Sequence, residues 1–188
     1  MAQAIVLAAG LSSRAKRNKL ALSLGHRSIL QILVTTLQQT CREIIVVTGH
    51  YREDVEQLLE GYDHVTFVHN EDYEKGMFSS VLTGVAQVKE DFVITPGDCP
   101  SIQEATIKAL LASEGLLRVP LVGKRRGHPL FVSFELVDKL LQEPVESNLK
   151  VFRDRYPITE VLVKDTGSLV DIDTYEQYQQ LKRMWKGE

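Results

Sequence analysis

The sequence predicts an α/β fold built on a mostly parallel sheet with helices over both faces. Apolar, β-branched runs alternate along the chain with segments of helical period, which is the pattern of βαβ units. Runs such as Ile44-Ile45-Val46-Val47 are apolar at consecutive positions, so both faces of those strands must be covered. At 188 residues the chain is expected to form a single domain, residues 1–188, with a substantial core.

Strands are expected at Ala4–Leu7, Glu43–Thr48, Val65–Val68, Phe92–Thr95, Val119–Val122, Leu130–Val132 and Glu160–Val163, each a short β-rich run. Helices are expected at Ser28–Thr40, Arg52–Leu59, Phe78–Val88, Gln103–Ala112, Glu135–Leu141 and Thr174–Trp185, where apolar residues recur with helical spacing. Helix-length segments separate the first four strands, which should therefore run parallel. From about residue 119 onward the strands shorten and their spacing loosens, so a mixed or antiparallel edge is expected there.

Composition narrows the function. A formal net charge of −3 argues against a nucleic-acid partner, which would call for a strongly basic surface. No apolar stretch approaches the roughly 18 residues that a membrane span requires. Met1 leads straight into a strand, without the charged leader and apolar plug of a secretion signal. Cys41 and Cys99 match neither a zinc spacing nor a disulfide framework. A cytoplasmic protein without a membrane partner is the expectation.

Residues 5–19 carry the strongest functional signal. The apolar run Ile5 to Leu7 ends in the small residues Ala8-Ala9-Gly10; hydroxyls follow at Ser12 and Ser13, then the cations Arg14, Lys16, Arg17 and Lys19. Exposed backbone N–H groups plus cations make an anion cradle, and a polyphosphate is its natural occupant. The alternative is a strand ending in a solvated basic loop. The order of strand, small-residue turn, hydroxyls and cations favours the cradle. Its spelling is neither G-x-x-x-x-G-K-[ST] nor G-x-G-x-x-G.

Ligands of open α/β sheets lie beyond the carboxyl ends of the strands. That rule gathers Ala8-Ala9-Gly10, Thr48-Gly49-His50, His69-Asn70 and Pro96-Gly97-Asp98 at one crevice. Asp98, opposite a cationic loop, suits Mg²⁺, which takes one or two carboxylates together with phosphate oxygens and water. Asp171 and Asp173 would share one face of an extended segment, with Ile172 on the other. They read equally as further metal ligands or, for Asp173, as a helix N-cap, a task also open to Thr174. Gly76-Met77-Phe78-Ser79-Ser80 reads equally as a ligand-binding helix start and as ordinary capping. Lys124 to Pro129 forms a second basic loop that would suit an anionic second substrate, although such loops are more often solvated and a lone histidine more often structural.

These pieces resemble the MobA-like nucleotidyltransferases, most closely their molybdenum cofactor cytidylyltransferase branch, over essentially the whole chain. The resemblance rests on Leu7-Ala8-Ala9-Gly10-x-Ser12-Ser13-Arg14 with Lys19, Gly76-Met77 with Ser79-Ser80, Pro96-Gly97-Asp98-x-Pro100, Arg126-Gly127-His128-Pro129 and Asp171-Ile172-Asp173-Thr174. It implies a three-layer α/β/α sandwich with a mostly parallel Rossmann-like sheet, of nucleotide-diphospho-sugar transferase type. It also implies a Mg²⁺-dependent enzyme that transfers a nucleotide from a nucleoside triphosphate to a phosphate-bearing acceptor and releases pyrophosphate. Members that use GTP tend to carry Gly-Gly where this chain has Ala9-Gly10, and Ser79-Ser80 also looks like the cytidylyl branch, so CTP is implied. Molybdopterin is then the implied acceptor, and a molybdoenzyme a maturation partner. Departures include Lys16 for a usual glycine, Ser28 for proline, Cys99 for glutamine or methionine, and Tyr175 and Gln177 for proline and aspartate.

On that basis the nucleotide is expected at Leu7, Ala8, Ala9, Gly10, Ser12, Lys19, Gly49, Asn70, Ser79, Ser80 and Asp98, with Gly49 and Asn70 toward base or ribose. Arg14, Lys19 and Asp98 are the expected catalytic residues, Asp98 with Asp171 and Asp173 the metal ligands, and Arg126 with His128 the acceptor side. A phosphate monoester is largely ionised at neutral pH, its second pKa being about 6, so no general base is required of the chain. Alternatives are a guanylyltransferase or sugar-phosphate nucleotidyltransferase on the same core and a regulator that binds nucleotide without chemistry. A Rossmann oxidoreductase is disfavoured by its missing glycines.

Overall fold

β1 (Ala2–Ala8) explains why this sheet needs two covering layers. Ala4, Val6 and Ala8 enter one buried cluster, while Ile5 enters the other. Successive side chains of a strand point to opposite faces, so one apolar run supplies both halves of the core. The computed structural model describes residues 2–10 and 18–185.

A small hairpin follows β1, β2 (Ser23–Leu24) against β3 (Arg27–Ser28), and leads into α1 (Ile29–Gln38). Ser28 is the N-cap of α1, not its first residue: its hydroxyl accepts from Gln31 N at 3.2 Å while the Gln31 side chain accepts from Ser28 N at 2.8 Å. The chain continues through β4 (Cys41–Thr48), α2 (Arg52–Leu58), β5 (Val65–His69), α3 (Met77–Val85), β6 (Phe92–Pro96) and α4 (Glu104–Ala112). The second half comprises β7 (Leu117–Val122), β8 (Arg125–Arg126), β9 (Leu130–Val132), α5 (Val137–Leu141), α6 (Leu149–Arg153), β10 (Ile158–Leu162) and α7 (Tyr175–Met184).

The strand order is β10-β7-β9-β6-β1-β4-β5, with β8 attached to β7. β1 pairs parallel with β4 and β6, β4 with β5, and β10 with β7. β9 alone of that path runs antiparallel, between β6 and β7. The half of the sheet built after residue 119 is thus mixed, as expected, but its antiparallel strand lies inside the sheet and the rim pair β10–β7 is parallel. Leu130, Phe131 and Val132 are buried on both faces and belong inside the sheet, whereas β10 exposes Leu162 and takes the rim. α1, α4 and α7 cover one face through Leu33, Ile107 and Tyr178, and α3, α5 and α6 cover the other through Val81, Leu140 and Phe152. The result is a three-layer α/β/α sandwich.

From β1 the chain moves outward to β4 and β5, then crosses back to β6 on the other side of β1. Such a reversal opens a crevice at the carboxyl ends of the two strands where it occurs. Leu7 of β1 stands in register with Pro96 of β6, directly below that crevice.

Candidate functional site

Lys19 is aimed into the crevice by its neighbours. Asn18 caps the 3₁₀ turn Lys19–Ala21, its side chain accepting from Leu20 N at 3.1 Å. Buried Leu20 then packs over Gly97, where a Cβ would lie 3.2 Å from Leu20 Cδ1. Gly97 N in turn donates to Leu7 O at 2.9 Å, tying the loop after β6 to the end of β1. With the turn seated, Lys19 Nζ forms an ion pair with Asp98 Oδ2 and a second, at 3.4 Å, with Asp173 Oδ1.

Asp98 is buried and needs such a partner. Its backbone carbonyl accepts from Ile172 N at 3.1 Å, which docks the 171–173 segment on the loop after β6. Ile172 is buried, while Asp171 and Asp173 are exposed on the other side, as the extended reading requires. Thr174 is the cap of α7: it accepts from Gln177 N at 3.2 Å, and Gln177 Oε1 accepts from Thr174 N at 2.8 Å. The Asp173 carboxylate is thereby left for Lys19. Burial works against the Lys19 charge, but Asp98 and Asp173 outweigh it and hold the ammonium above its ordinary pKa. Burial, reinforced by the Asp98 and Asp171 carboxylates, pushes the Cys99 thiol well up, and Cys99 Sγ donates to Asp98 Oδ1 at 3.8 Å.

Two carboxylates among the described residues face the Lys19 ammonium, and both offer the hard oxygens that Mg²⁺ prefers. Among the described residues no group of three or more His, Cys, Asp or Glu side chains is arranged to hold a metal ion. Asp98 and Asp173 could supply the one or two carboxylates that Mg²⁺ takes beside phosphate oxygens and water.

The remaining expected nucleotide residues occupy different situations. Ala8 and Ala9 are buried in the core clusters, Leu7 is half-buried, and Gly10 is exposed. Gly49 packs on Ala9, where a Cβ would stand 2.6 Å from Ala9 O, so its missing side chain is a packing requirement. Asn70, Ser79 and Ser80 form a buried network: Asn70 Nδ2 donates to the two hydroxyls at 2.8 and 2.9 Å, and Asn70 Oδ1 accepts from Asp72 N at 3.0 Å. Neither serine caps α3, whose N-cap is Gly76. The network braces the loop between β5 and α3. Ser12 and Arg14, like Ser13, Lys16 and Arg17, lie outside the described residues.

The second basic loop divides. Arg126 Nε pairs with Glu160 Oε1 of β10 at 2.7 Å on the exposed rim. His128 lies inward, its backbone N donating to Ser168 O at 2.8 Å, and it lines a cavity of about 230 Å³ with Leu7, Thr95 and Pro96. Burial pushes the His128 pKa down, with Arg153 adding to the fall, while Asp171 and Asp98 partly oppose it. The structure thus does not bring Arg126 and His128 to one point. It brings Lys150 and Arg153 of α6 to the cavity instead. The sequence signal for α6 was slight, an Asn148 cap before Leu149 and Phe152 at helical spacing.

Among the described residues no helix is long and apolar enough to cross a membrane. Residues 4–159 match the family described as the MobA-like NTP transferase domain. The chain is 29% identical over 180 residues to the molybdenum cofactor cytidylyltransferase of Escherichia coli (strain K12), covering 93% of this chain and 92% of that protein. It is 25% identical over 194 residues to a probable molybdenum cofactor guanylyltransferase of Bacillus mycoides (strain KBAB4), covering 95% of this chain and 94% of the relative. Among solved structures, a nucleotidyl transferase from Methanothermobacter thermautotroptrophicus superposes with a TM-score of 0.82 at 25% identity, covering 98% of this chain and 97% of that one. The lysine and paired carboxylates at the crevice, the three-layer fold and these likenesses together make the chain a nucleotidyltransferase belonging to the MobA-like NTP transferase family.

Proposed function

We propose that this chain transfers CMP from CTP to the phosphate of molybdopterin and releases pyrophosphate, with Mg²⁺ as its metal. The observation that carries the reading is the Lys19 ammonium paired with Asp98 and Asp173 at the carboxyl ends of β1 and β6. Support for CTP comes from Ala9-Gly10 and from the likeness to the Escherichia coli cytidylyltransferase. The setting proposed is the cytoplasm, where a reducing pool keeps Cys41 and Cys99 as thiols. A molybdoenzyme would receive the product.

An oxygen of the acceptor phosphate attacks the α-phosphorus in line. Its new bond to phosphorus forms as the bond from the α-phosphorus to the bridging oxygen breaks, and the electron pair leaves with pyrophosphate. The chain's work is alignment and charge neutralisation. Lys19 and Arg14 hold the β- and γ-phosphates and neutralise the charge growing on the leaving group. Asp98, with Asp171 or Asp173, would hold Mg²⁺, which supplies further charge neutralisation at the phosphates when bound. Asn70, Ser79 and Ser80 set the loop that borders the nucleotide, and His128 stands on the acceptor side.

Pyrophosphate release measured with CTP, GTP, ATP and UTP, each with and without molybdopterin, tests this reading. Release confined to CTP plus molybdopterin supports it. A preference for GTP moves the chain to the guanylyl branch, and release independent of molybdopterin overturns the acceptor.

A further inference from the structure

The cavity beside His128 joins an apolar floor to a cationic wall. Its floor is apolar, formed by Leu7, Phe78, Val81, Ile94, Val119 and Leu130. Its other wall is α6 and the residue that caps it, which bring Asn148, Lys150 and Arg153. Among the described residues Lys150 pairs with no carboxylate, and Arg153 pairs with no carboxylate but that of its chain neighbour Asp154, at 3.0 Å. Asn148 spends its carbonyl oxygen on Val151 N, at 2.9 Å, which leaves its amide N–H groups as donors. An apolar floor facing two cations suits a ligand with an apolar ring body and an anionic group. An apolar cavity of about 150 Å³ holds a benzene ring, so about 230 Å³ has room for one or two fused rings.

The cavity also sits at a telling place. Leu7 and Pro96 are in register on β1 and β6, and Gly97, next to Pro96, precedes Asp98. A ligand resting on this floor reaches the switch-point crevice from the side of β7 and α6, opposite β4 and β5.

We infer that this cavity is the acceptor subsite, which seats a planar one- or two-ring body on its apolar floor and binds an attached phosphate through Lys150 and Arg153. The occupant's use as an acceptor rests on the nucleotidyl-transfer reading above; what the cavity binds does not. Arg126, held on the rim by Glu160, takes no part.

The test uses 1-naphthyl phosphate and its uncharged counterpart 1-naphthol, followed by their own fluorescence, on the full chain. The wild type should bind the phosphate at least about tenfold more tightly than the alcohol. A Lys150→Met, Arg153→Met variant should bind the two alike, with CTP affinity in the presence of Mg²⁺ unchanged by calorimetry. Lys150→Met alone, at an exposed position, should lose part of the preference and guards against a folding defect in the double variant. Saturating CTP and Mg²⁺ should leave 1-naphthyl phosphate bound. No preference in the wild type, a preference kept by the double variant, or displacement by CTP each overturns the inference. In turnover with CTP and molybdopterin, the double variant should raise KM for molybdopterin at least about tenfold while KM for CTP stays put. A wild type inactive with that pair would sink the proposed reaction, while the naphthyl phosphate arms would still decide the cavity.

Discussion

Replacing Lys19 by Met keeps most of the side chain's length and removes its charge. Two effects follow, and the structure lets them be separated. Asp98 is 7% exposed and would lose its counter-ion, whereas Asp173, with half its side chain exposed, is well solvated and loses little. Removing one partner of a fully buried pair costs about 3–5 kcal/mol; with part of the Lys19 side chain in solvent, the discounted cost is roughly 1–3 kcal/mol. The catalytic loss should be larger. Deleting one positioned group that stabilises developing charge typically lowers kcat by about 10²–10³-fold, or roughly 2.7–4 kcal/mol. Urea denaturation reads the first effect, and pyrophosphate release at saturating CTP and molybdopterin reads the second. Adding Asp98→Asn to Lys19→Met removes the stranded charge, so it should recover more than half of the lost stability and none of the turnover. A folded Lys19→Met enzyme within about tenfold of wild-type turnover would refute the leaving-group role, since that difference is only about 1.4 kcal/mol.

Asp98→Asn alone should cut Mg²⁺-dependent turnover by more than about 10²-fold in a magnesium titration, and persistence of that activity removes Asp98 from the metal site. Gly49→Ala would drive a Cβ to 2.6 Å from Ala9 O and 2.8 Å from Ala9 Cβ, costing about 1–3 kcal/mol. Thermal melting should then fall by roughly 2–4 °C for each kcal/mol, and an unchanged Tm contradicts the close packing of these two strand ends. His128, whose pKa burial holds below 6.5, binds its proton more weakly folded than unfolded. Its stabilising contribution is therefore complete above pH 6.5 and is lost as pH falls through the folded value, so His128→Gln should flatten the decline of Tm below pH 6.5.

Much of the fold could be read locally. The run through β4 announces a two-faced buried strand by itself, and Ser28 with Gln31 spells a capping box within four residues. The place of β9 could not be read that way. Which strands pair is decided by contacts far apart in the chain, and Leu130–Val132 looks the same whether it lies at a rim or between β6 and β7. α6 is hard to read because its five residues hold a single helically spaced pair, Leu149 and Phe152, too short a run to establish a period. α6 brings Lys150 and Arg153 to the cavity that His128 also lines, while Arg126, expected with His128 on the acceptor side, pairs with Glu160 at the rim.

The site shows the same division. The opening strand, its small-residue turn and the carboxylate after β6 are local patterns, and the sheet topology brings Lys19 and Asp98 together as the carboxyl-end rule requires. The pairing of Lys19 with Asp173, 154 residues away, depends on Ile172 docking against the Asp98 carbonyl, and no local spacing encodes it. Asn70, Ser79 and Ser80 are polar in sequence and able to touch a ligand or one another; that they are buried and hydrogen-bonded together is a long-range outcome no local spacing encodes.

A crystal structure of the chain with CTP and Mg²⁺ would show which cations hold the triphosphate. The β- and γ-phosphates should lie within hydrogen-bonding reach of Lys19 Nζ, at the crevice between β1 and β6, with the metal on Asp98. Phosphates resting instead against Lys150 and Arg153, with Lys19 still locked to both carboxylates, would contradict the leaving-group role of Lys19.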